Sequence, residues 1–231
     1  MMYCVICLSE VNPVFNWTYF LSKEPPFYLC DSCKEKLAPI IGECCTICNR
    51  PLADLEAVFI HDGVCFDCFR WEQDSKWKGV LKQNYSLFLY NDFLKEVIAR
   101  FKYRGDYMVA GAFSLYIPKK LFQNKIVVPI PLSSIRLYER GFNQTEAILH
   151  CAGIPSIHCL TRMHSEKQSK KSRAARLETS SVFAVENNTQ IISQDVVLFD
   201  DIYTTGATLR NAAMALKEAG AKSVSSFTIA R

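Results

Sequence analysis

The sequence predicts an α/β fold, a parallel sheet flanked by helices, preceded by a small Cys-rich zinc-binding domain. Three observations predict it. Val196–Leu209, VVLFDDIYTTGATL, reads as a strand, an acidic pair, a small-residue turn and the start of a helix. From residue 85 onward, short apolar runs alternate with helix-period stretches, as in a parallel sheet built from strand–helix units. Before that, four CxxC pairs fall within 65 residues. The division is placed at 1–75 for the Cys-rich module and 76–231 for the α/β domain.

The cysteine pairs are Cys4/Cys7, Cys30/Cys33, Cys45/Cys48 and Cys65/Cys68. A CxxC knuckle aims two thiolates at one metal, and two knuckles complete a tetrahedron. The last two pairs, 16 residues apart, match a common zinc spacing, and the first two, 22 apart, are slightly long. Sequential pairing (4, 7, 30, 33 and 45, 48, 65, 68) closes shorter loops than a cross-braced one and is preferred. Redox-active CxxC is the alternative, but such motifs normally occur singly at a helix start. All-Cys ligation indicates structural rather than catalytic zinc. Cys44 reads as a bystander. Asn49 stands where a knuckle often has Gly, and Asn tolerates the left-handed turn required there. With Pro25, Pro26, Pro39 and Pro51 and little periodicity, this region relies on metal for its folding energy. Its aromatic residues, Trp17, Phe59, Phe66 and Trp71 among them, form its small core, stack bases or dock on the second domain.

Composition sets further bounds. The chain has 231 residues, 49% hydrophobic, enough for a sizeable core. No apolar run reaches the roughly 18 residues of a membrane span, and MMYCVICLSE has no signal-peptide pattern. A cytoplasmic protein is expected, with its eleven cysteines reduced. Residues 1–80 carry 7 Lys and Arg against 11 Asp and Glu; residues 81–231 carry 20 against 12. The half holding the TTGAT turn is therefore the basic half, which suits an anionic ligand or nucleic acid.

In the second domain, strand 85–90 leads to Asn91 as an N-cap, then a helix with Leu94, Val97, Ile98 and Phe101 on one face. That helix ends at Lys102-Tyr103-Arg104-Gly105-Asp106. Its two cations read equally well as a helix-end charge pattern or as facing a ligand. A helix over 108–117 and a strand over 126–130 follow. The strand runs through Pro131 and Arg136 to Arg140-Gly141-Phe142-Asn143-Gln144, read as a turn before helix 144–151. An Arg at the carboxyl end of a strand is well placed for phosphate, because open α/β sheets bind ligands at that edge. Strand 156–161 precedes Arg162–Arg176, which holds six cations and one acid. Strand 182–185, strand 195–199, helix 207–219 and strand 224–229 complete the domain. The run from Arg162, with Lys167, Gln168, Ser169, Arg173 and Arg176, reads as a mobile basic loop that closes on a charged substrate, grips nucleic acid or is simply solvated.

The VVLFDDIYTTGATL stretch is neither a Walker loop nor a dinucleotide fingerprint, since it has neither Gly-Lys-Ser/Thr nor GxGxxG. Small residues let the backbone approach an anion, and the helix start offers free N–H groups. Asp200 and Asp201 can accept from sugar hydroxyls or face hydrated Mg²⁺. The stretch resembles the ribose-phosphate loop of type I phosphoribosyltransferases. Taken together, the four CxxC pairs, Phe101–Asp106, VPIPL with RGFNQ, the basic loop and DDIYTTGAT resemble the ComF/GntX family over nearly the whole chain.

That resemblance implies a zinc module joined to a type I phosphoribosyltransferase-like domain. It implies structural Zn²⁺ on Cys4, Cys7, Cys30, Cys33, Cys45, Cys48, Cys65 and Cys68. It also implies 5-phosphoribosyl 1-pyrophosphate (PRPP), or a ribose 5-phosphate group, bound with Mg²⁺. Asp200 and Asp201 would meet the ribose hydroxyls, and Thr204, Thr205, Gly206, Ala207 and Thr208 the 5-phosphate. Lys102 and Arg140 would lie near the pyrophosphate. The catalytic candidates are Asp200, Asp201 and Arg140, but no hood that would read a purine or pyrimidine is recognisable. Relatives of this kind are implied to act in natural transformation, handling incoming single-stranded DNA in the cytoplasm beside a ComFA-like helicase ATPase. Three functions follow: a PRPP-dependent transferase of unknown acceptor, a DNA-uptake factor, and an adaptor whose zinc module recruits that ATPase.

Overall fold

The computed structural model describes residues 2–11, 29–163, 182–186 and 189–231. In the cysteine-rich part, β1 (Met2–Tyr3) pairs with β2 (Glu10–Val11), followed by α1 (Asp31–Lys36). Then come β3 (Ile60–His61), β4 (Val64–Cys65) and α2 (Phe66–Gln73). The rest runs β5 (Asn84–Phe88), α3 (Asp92–Tyr103), α4 (Met108–Ser114), β6 (Ile126–Pro129), α5 (Ser134–Arg140) and α6 (Gln144–Ala152). It closes with β7 (Leu160–Arg162), β8 (Phe183–Val185), β9 (Asp195–Ile202), α7 (Ala207–Glu218) and β10 (Ser223–Ala230).

The central sheet has the order β5-β10-β9-β6, with every pair parallel. Parallel strands need both faces covered, and the alternation along β9 supplies two apolar faces. Val197 and Phe199 point into one cluster with Phe227, Ile229 and the buried faces of α3, α4 and α6. Val196 and Leu198 point into the other, with Val128, Val224 and the Leu209, Ala212, Ala213 and Leu216 face of α7. Both clusters take residues from the cysteine-rich part. Cys4, Val5, Ile6, Leu29, Cys33 and Leu37 join the first, and Cys45, Cys48, Cys65 and Cys68 join the second.

The expected α/β sheet with its helices is present, and so are several expected local details. Asn91 caps α3, its side chain accepting from the Leu94 N–H at 2.9 Å. Asn49 has φ +61. Four expectations change. Segment 156–161 gives only β7, which pairs antiparallel with β8 outside the central sheet. Arg140 closes a helix rather than sitting in a turn, with Gly141 as its left-handed cap at φ +77. The helix expected over 108–117 stops at Ser114. Strand β9 continues through the acidic pair to Ile202, because β10 keeps pairing with it that far.

Candidate functional site

The carboxyl ends of β6 and β9 open into a cleft of about 290 Å³. Its lining includes Lys102, Arg136, Arg140, Arg162, Asp200 and Asp201, so four cations face two carboxylates. Thr204 and Thr208 complete the wall on the α7 side, and Asn143, Gln144 and Thr145 the wall on the α6 side. That volume is at the small end for ligand sites, roughly 300 Å³ and upward. It suits a sugar phosphate better than a dinucleotide.

Asp200 and Asp201 reach the cleft because β6 stops pairing with β9 at Phe199, while β10 goes on holding β9 as far as Ile202. The Asp201 N–H donates to Asp200 Oδ1 at 2.9 Å. Lys102, in the last turn of α3, places Nζ 2.5 Å from Asp201 Oδ2. Burial pushes the Asp200 carboxyl up to about 7, and the neighbouring Asp201 charge pushes the same way; Lys102 and Arg162 oppose them. Arg162 is itself held below the usual range, first by burial and then by the Arg136 charge beside it. These arginines crowd one another with too few carboxylates for neutrality, and an anion in the cleft would relieve that.

Arg140 is fixed by its Nη1 donating to Gln144 Oε1 at 2.9 Å and by stacking over Tyr103, 5.5 Å from the ring centre. The turn behind it is anchored to the end of β6. Asn143 donates through Nδ2 to the Ile130 carbonyl at 3.1 Å and accepts from the Thr145 N–H at 3.1 Å, capping α6. Ser133 caps α5 by accepting from the Arg136 N–H at 3.3 Å.

The cleft therefore gathers Lys102, Arg140, Arg162, Asp200, Asp201, Thr204 and Thr208. Thr205, Gly206 and Ala207 are not in its wall. Thr205 turns towards Trp71, whose Nε1 donates to its carbonyl at 3.2 Å. Gly206, at φ +78, is the residue on which the chain reverses into α7. Lys167, Gln168, Ser169, Arg173 and Arg176 lie outside the described residues. Arg136 was not singled out by sequence reasoning. The available signal was Ser133 three residues before it and Gly141 beyond, a cap at each end of a short helix.

The eight CxxC cysteines gather into two tetrads, Cys4/Cys7/Cys30/Cys33 and Cys45/Cys48/Cys65/Cys68, with all sulfurs of each within 4.8 Å of one another. This is the sequential pairing, and Cys44 belongs to neither tetrad. Cys7 and Cys30 sulfurs are 3.5 Å apart, as are Cys48 and Cys65. Zinc–sulfur bonds of about 2.3 Å in a tetrahedron require sulfurs spaced about 3.8 Å apart. Each donor set therefore fits a metal such as zinc. All eleven cysteines are free of disulfides. No helix among the described residues is long and apolar enough to cross a membrane.

No family model matches the sequence. Competence protein ComFC of Bacillus subtilis is 40% identical, with 99% of this chain and 94% of that protein aligned. Competence protein ComFC of Streptococcus pneumoniae is 30% identical over the full length of both chains. Among solved structures, an allosteric regulatory enzyme of purine biosynthesis aligns with 55% of this chain and 25% of its own at 20% identity. Its TM-score of 0.36 is too low to argue from.

Proposed function

The chain belongs to the ComF family of competence proteins, and from that premise we propose that its cleft binds PRPP or a ribose 5-phosphate group in the service of DNA uptake. The observation that carries this reading is the charge pattern of the cleft: four cations round two adjacent carboxylates, beside the TTGAT turn. The cations take the phosphates. Asp200 and Asp201 accept from the ribose 2- and 3-hydroxyls, and the N-terminus of α7 with Thr204 and Thr208 receives the 5-phosphate. Mg²⁺, when bound with PRPP, would offset pyrophosphate charge and help it depart. In a transferase reaction Lys102, Arg136 and Arg140 stabilise that leaving charge, and none of the described residues identifies the acceptor.

In this reading the protein handles single-stranded DNA in the cytoplasm beside a ComFA-like helicase ATPase, and the metal bound by the tetrads is zinc. The excess of basic residues after position 80 supports a nucleic-acid partner. The test is one calorimetric series on a single preparation, with PRPP and Mg²⁺, then with a single-stranded oligonucleotide at two salt concentrations. PRPP should bind, and the Asp200→Ala/Asp201→Ala variant should lose it. Wild-type protein that ignores PRPP overturns the ligand, and DNA affinity that does not change with salt overturns the nucleic-acid role. Pull-down of the ATPase by the full chain tests the partner.

A further inference from the structure

Arg210, in the first turn of α7, is wholly buried. A buried guanidinium needs a counter-charge. Among the described residues no carboxylate lies within ion-pair distance of it. Its Nη1 donates to the Tyr203 hydroxyl at 2.8 Å, and its Nη2 faces Cys68 Sγ at 3.8 Å. Its flat face covers Trp71 at 4.8 Å, and its Nε has no partner. Arg231 repeats the arrangement from beyond the end of β10. Its Nη2 donates to Cys48 Sγ at 2.9 Å and its Nη1 to the Thr204 carbonyl at 3.3 Å, with the guanidinium over the Tyr203 ring.

The turn beside the cleft is thus held from the tetrad side at each of three residues. Arg231 holds Thr204, and Trp71, three residues beyond Cys68, holds Thr205. Gly206 packs so tightly that a Cβ there would run into Tyr203 Oη and Arg210 Nη1. The charges agree with this geometry. Four thiolates round one divalent ion leave an excess of two negative charges, and Arg210 and Arg231 supply two positive ones.

We propose that Arg210 and Arg231 are positioning residues that join the metal-filled Cys45/Cys48/Cys65/Cys68 tetrad and the Thr204–Gly206 turn into one unit, so that an anion at the turn and metal in this tetrad strengthen each other's binding. The Cys4/Cys7/Cys30/Cys33 tetrad takes no part in this coupling. The identity of the anion rests on the reading above, whereas the link between tetrad and turn does not. Coupling of this kind is reciprocal, so a ligand at the turn must raise the affinity of the coupled tetrad for its metal.

The experiment follows transfer of zinc from the loaded full-length chain to a chromogenic chelator, with and without saturating PRPP or ribose 5-phosphate. At equilibrium the wild type should need about fivefold more chelator, or more, to give up one zinc equivalent when ligand is present, and the other should be unaffected. Arg210→Met and Arg231→Met should abolish that protection, and Arg231→Lys should restore part of it, which a merely structural role would not do. Amide exchange at Thr204–Thr208 is measured in parallel without ligand. It should quicken in both Met variants with zinc still bound, while the β9 amides stay unchanged. If Arg210→Met does not fold, the two Arg231 variants decide. Ligand that binds by calorimetry yet leaves both zinc equivalents unprotected overturns the coupling. Exchange at the turn that matches the wild type in every folded variant also overturns it. If neither ligand binds, the PRPP reading falls, and the exchange measurement alone supports or overturns the link.

Discussion

The two cysteine tetrads have the same ligands but lie in opposite clusters of one sheet, and their surroundings differ. Cys4 and Cys33 pack with the α3–α4–α6 side, while Cys7 is exposed and Cys30 half-buried. The nearest polar support for Cys7 is the Ser9 hydroxyl at 2.9 Å, a contact that holds its thiol down to about 6. The second tetrad is buried at all four positions on the α7 side. Arg231 donates to Cys48 and Arg210 faces Cys68, and the Asn84 side chain donates to the Cys48 carbonyl at 3.4 Å. Asn84 also holds Ser86 and Ser226 at 2.8 Å each, so this tetrad is bonded into β5 and β10. The difference lies in what each tetrad supports: the first fastens the β1–β2 pair to the α3–α4–α6 side, and the second stands behind the turn of the cleft.

The largest expected effect breaks the comparison outright. Cys48→Ser should cost roughly 5 kcal/mol or more, because it releases metal and leaves the buried Arg210 and the half-buried Arg231 without counter-charge. Cys7→Ser, at an exposed corner, should cost about 2 kcal/mol. Denaturant unfolding with metal analysis measures both, and equal costs would remove the distinction between the tetrads.

Gly206→Ala is next. The residue is at φ +78, and the new methyl meets Tyr203 Oη and Arg210 Nη1. About 3 kcal/mol of destabilisation is expected. It should hasten zinc loss from one tetrad only, read by chelator transfer. Equal acceleration at both would show that the strain spreads through the whole fold.

Asp200→Asn separates the cleft's charge from the metal sites. The folded-state value of about 7 lies above the ordinary carboxylate value of 3.8. Between those values the folded chain keeps a proton that the unfolded chain has released, so Asp200 lowers stability as pH rises through that window, and the deficit is complete above it. That rise alone corresponds to about 4 kcal/mol, and solvent reaching the half-buried carboxylate reduces it, so the Asn variant should gain about 2 kcal/mol at pH 8 and almost nothing at pH 4. Melting curves at both values test this. Zinc retention should not change, and a shift in it would tie the carboxylates to a tetrad.

Much of this organisation is legible in the sequence because it is local. CxxC spacing, the DD-TTGAT stretch and the apolar face of α3 are patterns within a few residues, and each recurs in the structure. What escapes is what depends on distant partners. Helix α5 has no buried residue, with Ile135, Leu137 and Tyr138 all exposed, so it leaves no apolar period to read. Strand β7 pairs with β8 rather than joining the parallel sheet, and no residue in either marks that choice. Arg210 reads as the polar side of an amphipathic helix. Its burial depends on Cys68, 142 residues away.

Cys44→Ser should have the smallest effect, yet it bears most directly on which sulfurs are ligands. Cys44 adjoins Cys45, and spacing alone would let either complete a knuckle. In the structure Cys44 bridges to Pro51, and neighbouring side chains on extended backbone point to opposite sides. Cys45 therefore turns inward, while Cys44 is only half-buried and donates weakly to the Gly42 carbonyl at 3.5 Å. Burial, followed by the charge on Cys45, pushes the Cys44 thiol up, which keeps it protonated and a poor metal ligand. The Ser variant should retain both zinc equivalents and lie within about 0.5 kcal/mol of the wild type in stability. Loss of one equivalent would mean that Cys44 can replace a neighbour. The second tetrad would then be the looser of the two, and the contrast between them would reverse.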